Sequence, residues 1–419
     1  MEDAMAYADS VGATVWLLVS ASLVLLMTPA LAFFYGGMSR KKSVLNMMMM
    51  SFGAMGAVGV AWMVVGNSLS TGPSIGGLWG NPVTDFLLAS TWASGDPIAI
   101  ISAGFGATFA IITTALISGA IADRVKFGAW MVFAAVWSVL VYAPLSHWVW
   151  GGGILSTSGP LFSAHWFPQD FAGGTVVHIN AGVAGLVLAL MVGVRRGFGR
   201  EVFKPHNLPL VMLGAALLWI GWFGFNAGSA FAGDVYATVA WVNTTAATAA
   251  AILGWLAVEK LRDGKPTSLG AASGVVAGLV AITPAAAQVD PAGALLIGVV
   301  AGALSALAVG LKYRWGYDDS LDVVGVHLVS GLWGTLAVGL VGTTTYGAWN
   351  GLFYGGGLGG LAAQAVAALI TIVFSAVMTA ALGYVIKRTI GWRVSHDVEV
   401  TGIDLAEHGE TAYEEAMAS

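Results

Sequence analysis

Two stretches of the sequence carry a carboxylate, a histidine and a glycine at the same spacing. They are Asp170–Gly182 and Asp319–Gly331, and in each the histidine follows the carboxylate by eight residues and precedes the glycine by four. The two histidines are His178 and His327. A neutral imidazole offers one hydrogen-bond donor and one acceptor, so a histidine pair can line a path for a small polar molecule.

Both histidines fall inside apolar segments. His178 lies about 12 Å beyond the start of its helix, and His327 approaches the same depth from the opposite direction. Ionisable groups at that depth are costly and usually line a pathway. The alternative is that each ring only makes a hydrogen bond between helices. The repeated spacing favours the pathway, and Gly174 and Gly182 share the helix face of His178, which allows a close approach. The remaining histidines are given no role: His147, His165, His206, His396 and His408.

Aromatic and hydroxyl side chains form a second candidate site. They are Trp222, Phe225 and Ser229 in one apolar segment, Phe105 and Phe109 in another, and Trp150 at the end of a third. Aromatic faces attract a small cation by about 0.5–2 kcal/mol, and a serine oxygen adds an acceptor. These residues could bind a monovalent cation without a carboxylate. The alternative is an aromatic belt at the membrane interface.

The composition identifies the class of protein that must position these residues. Hydrophobic residues make up 57% of the 419-residue chain and charged residues 9%, against roughly 25% charged in a typical soluble domain. So few charges argue against a cytosolic enzyme. With 17 Lys and Arg against 22 Asp and Glu, no basic patch is left for nucleic acid. The chain has no cysteine, which excludes disulfides and thiolate metal sites.

The apolar stretches predict an all-α membrane protein. A helix needs about 20 mostly apolar residues to cross the bilayer core. Eleven stretches meet this requirement: 13–36, 44–68, 97–121, 128–150, 171–194, 208–231, 236–258, 268–287, 292–312, 323–343 and 358–386. We expect a transmembrane domain at residues 13–386. A short extracellular segment (1–12) would precede it, and a cytoplasmic tail (387–419) would follow it.

The basic residues predict the orientation of the chain. All 17 Lys and Arg follow odd-numbered stretches, so an eleven-helix topology places them on one side of the membrane. The positive-inside rule assigns that side to the cytoplasm, with the N-terminus outside and the C-terminus inside. Eleven helices also divide into halves of five, at residues 13–194 and 208–343, plus a final helix at 358–386. Because five is odd, the halves would form an inverted repeat.

The chain resembles the ammonium transporter family, which includes the Amt and Rh proteins, over essentially its whole length. The matching stretches are Phe33–Gly37, Phe109–Thr113, Trp150–Gly153, Asp170–Gly182, Gly221–Ser229, Asp318–His327 and the tail Gly402–Tyr413. The resemblance implies a homotrimer with one pore per subunit. It also implies a tail that couples the subunits and meets a PII-type nitrogen-sensing protein. We expect no cofactor, no bound metal and no catalytic residues in such a protein.

The same resemblance implies a role for each candidate residue. Phe109, Trp150 and Ser229 would form an outer site for ammonium. Phe109 and Phe225 would stack below it as a gate, with Phe105 and Trp222 lining the pore and His178 and His327 as its paired histidines. Asp170 would be a carboxylate that is structural or related to deprotonation, and its plain interpretation is a helix cap.

Physical chemistry favours passage of the neutral molecule. An amine with a pKa of 9–10 costs about 3–4 kcal/mol to deprotonate at pH 7. Carrying the intact cation through an apolar bore costs several kcal/mol or more. We therefore expect the ion to lose its proton before it passes the histidines. Whether the proton crosses by a separate route stays open. The alternatives are a passive channel for a neutral gas or other small neutral solute, an ammonium sensor and, least favoured, an intramembrane enzyme.

Overall fold

The computed structural model describes residues 2–162 and 166–413, and side chains from residue 9 onward. Within those residues, eleven helices are long and apolar enough to cross a membrane, which confirms the predicted number. We call them spans 1 to 11, and their bounds are Asp9–Met38, Lys41–Thr71, Pro97–Ile121, Phe127–Val149, Gly174–Val192, Leu208–Ala230, Val235–Asp263, Ser268–Ala285, Pro291–Trp315, Val324–Val341 and Gly359–Thr389.

The first helix begins earlier than the hydrophobic pattern indicates. It starts at Glu2 and continues without interruption into span 1. The predicted segment 1–12 is therefore helical from residue 2. Of the tail, the described part ends at residue 413, so residues 414–419 of the predicted tail lie outside the described residues, as does His165.

Short elements complete the two ends of the bundle. We call the end without Lys or Arg the outer end, and the end with all of the Lys and Arg residues the inner end. These names follow the orientation predicted by the positive-inside rule. At the outer end, a two-stranded hairpin pairs Ser74–Ile75 with Trp79–Gly80, and a short helix covers Ala89–Ser94. At the inner end, the tail forms helices His396–Thr401 and Ile403–His408.

The two halves of the chain pack in the same way. Span 1 contacts spans 2 and 3, span 2 contacts spans 3 and 4, and span 3 contacts spans 4 and 5. The corresponding pairs recur among spans 6 to 10. Span 1 lies against span 6 and span 5 against span 10, so the halves meet along two equivalent seams. This arrangement agrees with the predicted five-plus-five repeat, and span 11 packs outside it against spans 4, 5 and 10.

Acidic residues at the outer end cap the helices that begin there. Asp96, Asp234 and Asp290 each accept a hydrogen bond from a backbone N–H in the first turn of spans 3, 7 and 9. A carboxylate at a helix N-terminus satisfies an unpaired N–H and complements the positive end of the helix dipole. The acidic character of this end therefore has a structural origin.

An ion-pair network joins the two halves at the inner end. Arg195, after span 5, binds Asp318 before span 10 through two contacts of 2.8 and 2.9 Å. It also lies 3.3 Å from Asp123, which follows span 3. Burial alone would raise the pKa of Asp318, but hydrogen bonds from Arg195 and the charge of Arg124 outweigh it, so the pKa lies below its ordinary value.

The tail caps two helices that have no capping side chain of their own. Asp404 accepts hydrogen bonds from the backbone N–H groups of Leu45 and Asn46, at 3.0 and 2.8 Å, at the start of span 2. Glu407 accepts one from Phe127 N–H, at 3.0 Å, at the start of span 4. The local residues at these helix starts make no side-chain cap. The tail is thus part of the helix bundle that it follows.

We expect Asp404→Ala to loosen the tail, because it leaves two N–H groups of span 2 without an acceptor. A lost cap costs about 1 kcal/mol. Limited proteolysis of the purified protein should cut the tail several times faster than in the unmodified chain. Glu410→Ala is the control, since Glu410 is exposed on the same tail. Equal cleavage of both variants would contradict the capping role.

Candidate functional site

The two histidines of the repeated motif lie in matching irregular turns. Span 5 begins with a π-helical segment at Gly174–Ile179, and span 10 begins with one at Val324–Leu328. His178 N–H bonds to the carbonyl of Gly173, five residues back, at 3.1 Å. A π-helical turn is wider than an α-helical one and frequently marks a functional site. It sets the direction in which each imidazole leaves its helix.

A buried carboxylate stabilises the start of each of these turns. Asp170 accepts hydrogen bonds from the backbone N–H groups of residues 173–176 and from the hydroxyl of Thr175. Asp319 accepts them from Val323 and Val324, at 3.0 and 2.7 Å. The two carboxylates of the motif therefore do the same work in both halves, which is to hold the backbone that presents the histidine.

The glycines of the motif allow spans 5 and 10 to touch at backbone distance. A Cβ atom on Gly331 would lie 2.8 Å from the Cβ of His178. A Cβ atom on Gly182 would lie 2.6 Å from the Cβ of Leu328, next to His327. Each glycine thus faces the histidine turn of the other half. Only a residue without a side chain fits at either position.

The two imidazole rings meet inside the bundle. Their centroids are 5.6 Å apart with planes inclined by 19°, and their residues are 1% and 2% exposed. Trp222 lies against His178 on the other side, with a centroid distance of 5.5 Å and an angle of 16°. The indole is fixed by its N–H bond of 3.0 Å to the hydroxyl of Thr283.

Three of the four ring nitrogens of this pair have no hydrogen-bond partner among the described residues. Among the described residues, both nitrogens of His178 and Nδ1 of His327 are buried without a hydrogen bond. His147 provides the contrast, because its two nitrogens bond to Ser70 O and Ser74 Oγ, each at 2.9 Å. Both nitrogens of His147 are thus hydrogen-bonded, as buried polar groups usually are, whereas the paired histidines depart from that rule.

A small apolar cavity borders the two rings. It is enclosed by His178, His327, Trp222, Phe225 and aliphatic side chains. The space open to the centre of a water-sized molecule is about 10 Å³, which is close to what one such molecule requires. A single small molecule therefore fits beside the histidines, and a hydrated ion does not.

A stacked aromatic pair closes this cavity toward the outer end. The rings of Phe109 and Phe225 lie 4.0 Å apart with an angle of 16°. Phe105 contacts Phe109 from above, with centroids 4.8 Å apart. The stacked pair separates the small cavity from a wider one of about 620 Å³ that opens at the outer end, which we call the vestibule.

The vestibule contains the predicted outer residues. Phe109, Trp150 and Ser229 all line it. Trp150 is 40% exposed, and its indole N–H bonds to the backbone carbonyl of Asp170 at 2.9 Å. Ser229 donates its hydroxyl proton to the carbonyl of Phe225 at 2.8 Å. The serine oxygen is therefore available as an acceptor, which suits a ligand that donates protons.

Several vestibule residues do not stand out in the sequence. They are Trp62, Asn67, Ser70, Thr91, Tyr142, Ser146 and Phe231. Hydroxyl and amide side chains are common in packed membrane helices, so their types alone gave no signal. Phe231, the residue after span 6, has a positive φ of 59° and lines the vestibule. That conformation could not be anticipated for a phenylalanine.

Comparison with known sequences identifies the family. A sequence profile of the Ammonium Transporter Family matches residues 15–413. The chain belongs to the ammonium transporter family. The ammonium transporter of Mycobacterium tuberculosis is 53% identical over 435 aligned residues, covering 97% of this chain and 91% of that protein.

Solved structures of the family share this fold. The crystal structure of Saccharomyces cerevisiae Mep2 matches with a TM-score of 0.86 and 31% identity, covering 98% of this chain and 93% of that one. A structure described as a sensor Amt protein also gives a TM-score of 0.86, with 26% identity and coverage of 97% and 100%. The chain is therefore an ammonium transporter family protein with eleven membrane-spanning helices among its described residues.

We expect Gly331→Ala to lower transport at least tenfold. The new methyl group would lie 2.8 Å from the Cβ of His178, well inside the usual carbon contact of about 3.5 Å, so the ring must move. Displacements of about 1 Å in an active arrangement can cost two orders of magnitude. Uptake of labelled methylammonium into proteoliposomes measures this. Gly56→Ala is the control, because open space surrounds Gly56. Full activity of a folded Gly331→Ala variant would contradict the close approach.

Proposed function

We propose that this protein captures ammonium in the outer vestibule, where the ion gives up its proton to water, and that ammonia then passes alongside His178 and His327. The observation that carries this proposal is the pair of stacked, unpartnered imidazoles beside a cavity for one small molecule. The Phe109–Phe225 gate lies between the vestibule and that cavity. The pathway is thus divided into a wet capture site and a narrow apolar passage.

The capture site favours a small cation that donates hydrogen bonds. Phe109, Trp150 and Phe105 present aromatic faces and edges around the vestibule, and cation–π attraction contributes about 0.5–2 kcal/mol. The Ser229 oxygen accepts a hydrogen bond, since its own proton is already donated. Ammonium satisfies both requirements. Potassium has a similar size and charge but no proton to donate.

Loss of the proton accounts for the larger part of the selectivity. Deprotonation at pH 7 costs about 3–4 kcal/mol, which is less than the cost of bringing the intact cation into an apolar cavity. Potassium cannot take this route. The neutral molecule then passes rings that each provide one donor and one acceptor.

Asp170 supports this pathway without acting on the proton itself. Both of its oxygens are occupied by backbone N–H groups and the Thr175 hydroxyl. Its carbonyl holds the indole of Trp150. The residue therefore fixes the start of span 5 and one wall of the vestibule. The sequence is compatible with a structural role for Asp170 or with a role in deprotonation, and we assign it the structural role.

We further propose that the subunit assembles as a homotrimer with one pore in each subunit and that its inner face meets a PII-type regulatory protein. Membership of the family supports both proposals. A complete vestibule, gate and histidine pair within one chain supports one pore per subunit. The tail that caps spans 2 and 4 connects the inner surface to the helices around the pore. The positive-inside rule supports our assignment of the inner end to the cytoplasm.

We expect His178→Ala and His327→Ala each to abolish selective ammonium flux. Removal of either ring replaces a hydrogen-bonding wall of the passage by an empty apolar space, which no longer supports a polar molecule. Uptake of methylammonium, with potassium as competitor, measures both flux and selectivity. His396→Ala is the control because His396 lies exposed on the tail. Intact selective flux in either pore variant would overturn the paired role.

Currents in proteoliposomes test whether deprotonation is required. An ammonium jump should drive transport, whereas a potassium jump of the same size should drive none, because potassium has no proton to lose. A current that accompanies ammonium uptake would show that a positive charge crosses with each nitrogen or with part of them, and silent uptake would show net movement of ammonia. Equal currents for both ions would contradict the deprotonation step, and protein-free liposomes provide the background.

A further inference from the structure

Asp85 is a buried carboxylate in the outer loop between spans 2 and 3. It is 7% exposed. It accepts hydrogen bonds from the side chain of Asn67 at 2.9 Å, from Ser90 Oγ at 2.7 Å, and from Thr91 through its N–H at 2.9 Å and its hydroxyl at 2.7 Å. All of these donors are neutral, so the group is fully hydrogen-bonded but not neutralised.

The negative charge of Asp85 has no cationic partner. No Lys or Arg occurs between residues 43 and 123, and within the described part of the chain no ion pair includes Asp85. Burial alone would raise its pKa, but the hydrogen bonds from Thr91, Ser90 and Asn67 outweigh it and lower the pKa below the ordinary value. The carboxylate is therefore charged at neutral pH. A buried charge without a counter-ion is costly and calls for an explanation.

Two of the donors to Asp85 line the vestibule. Asn67 and Thr91 both contribute to its wall, together with Trp150 and Ser229. Asn67 gives its amide N–H to the carboxylate, and Thr91 gives its hydroxyl proton. Each of these two side chains keeps an oxygen that can accept a hydrogen bond in the vestibule, and Asn67 also keeps its second amide N–H. The wall is thereby set to receive a ligand that donates protons.

We propose that Asp85 is a positioning residue for ammonium capture. It holds Asn67 and Thr91 as acceptors and places an uncompensated negative charge one side chain behind the vestibule wall. In a partly desolvated cleft such a charge raises the local concentration of cations. The inference extends the capture step proposed above and rests on it. In this proposal, Asp85 attracts ammonium to the vestibule without contacting the ion.

A purely structural role makes a different prediction. The bonds to Asp85 also fasten residues 67 to 91 together, so the loop could require its shape but not its charge. A structural role would lower the amount of folded protein or the maximal flux. An electrostatic role changes the ammonium concentration at half-saturation and its dependence on ionic strength, while the maximal flux stays the same.

The test compares Asp85→Asn with Asp290→Asn in proteoliposomes. Asp290 is a matched control, since it caps span 9 at the same end but is not among the vestibule residues. For Asp85→Asn we expect half-saturation to rise about three- to tenfold with maximal flux within about twofold. The half-saturation of the unmodified protein should rise as salt shortens the Debye length from about 30 to about 8 Å. This rise should be smaller in Asp85→Asn.

A second variant tests the charge of Asp85 while the carboxylate stays in place, so its result does not depend on whether Asp85→Asn folds. Ser90 is exposed and its hydroxyl lies 2.7 Å from Asp85, so Ser90→Lys places an ammonium group beside the carboxylate and leaves the other hydrogen bonds intact. The same rise in half-saturation is expected. Asp85→Glu, which keeps the charge, should restore most of the affinity. Unchanged half-saturation in folded Asp85→Asn and Ser90→Lys would overturn the proposal.

Ser229→Ala separates this inference from the function on which it rests. If Ser229→Ala raises half-saturation and the Asp85 variants do not, the outer capture site stands and the role of Asp85 is wrong. If Ser229→Ala also leaves half-saturation unchanged, the proposed capture site itself is wrong. Support for both requires that the Ser229 and Asp85 variants weaken capture and that only the Asp85 variants lose salt dependence.

Discussion

The structure depends on two imidazole rings that are buried in a membrane bundle, with three of their four nitrogens lacking a hydrogen-bond partner among the described residues. A buried polar group without a partner costs about 1–3 kcal/mol, so the surrounding residues must hold these rings in place against that cost. The π-helical turns aim the rings, the buried carboxylates hold the turns, and glycines let the two helices approach. Trp222 closes one side through its bond to Thr283. None of these features would be needed if the ring nitrogens had hydrogen-bond partners in the protein or if the two rings lay apart.

Much of the fold could be predicted from the sequence because apolar length and charge are properties of single segments. The eleven spans and the pairing of His178 with His327 follow from such patterns. The vestibule wall could not be predicted in this way, since Asn67 and Thr91 resemble ordinary packing residues until a buried carboxylate takes their protons. The caps from Asp404 and Glu407 could not be predicted either, because they join residues 358 and 280 positions apart in the sequence.

At the outer end, acidic residues that make the surface anionic also cap helices. Asp96, Asp234 and Asp290 each satisfy a backbone N–H at a helix start. The positions of these charges are set by helix capping, and none of the three residues lines the vestibule. Asp85 differs because it caps no span and faces the wall of the vestibule. Aspartate at this end thus caps three helices and, at Asp85, lies behind the wall of the vestibule.

The tail contacts also determine when the bundle is completed during synthesis. Spans 2 and 4 leave the ribosome long before Asp404 and Glu407 are translated, yet these two residues supply the acceptors at the starts of both helices. The starts of spans 2 and 4 can therefore be capped only after the C-terminal tail has been synthesised. A chain that ends before Asp404 would leave these N–H groups of Leu45, Asn46 and Phe127 without their side-chain acceptors.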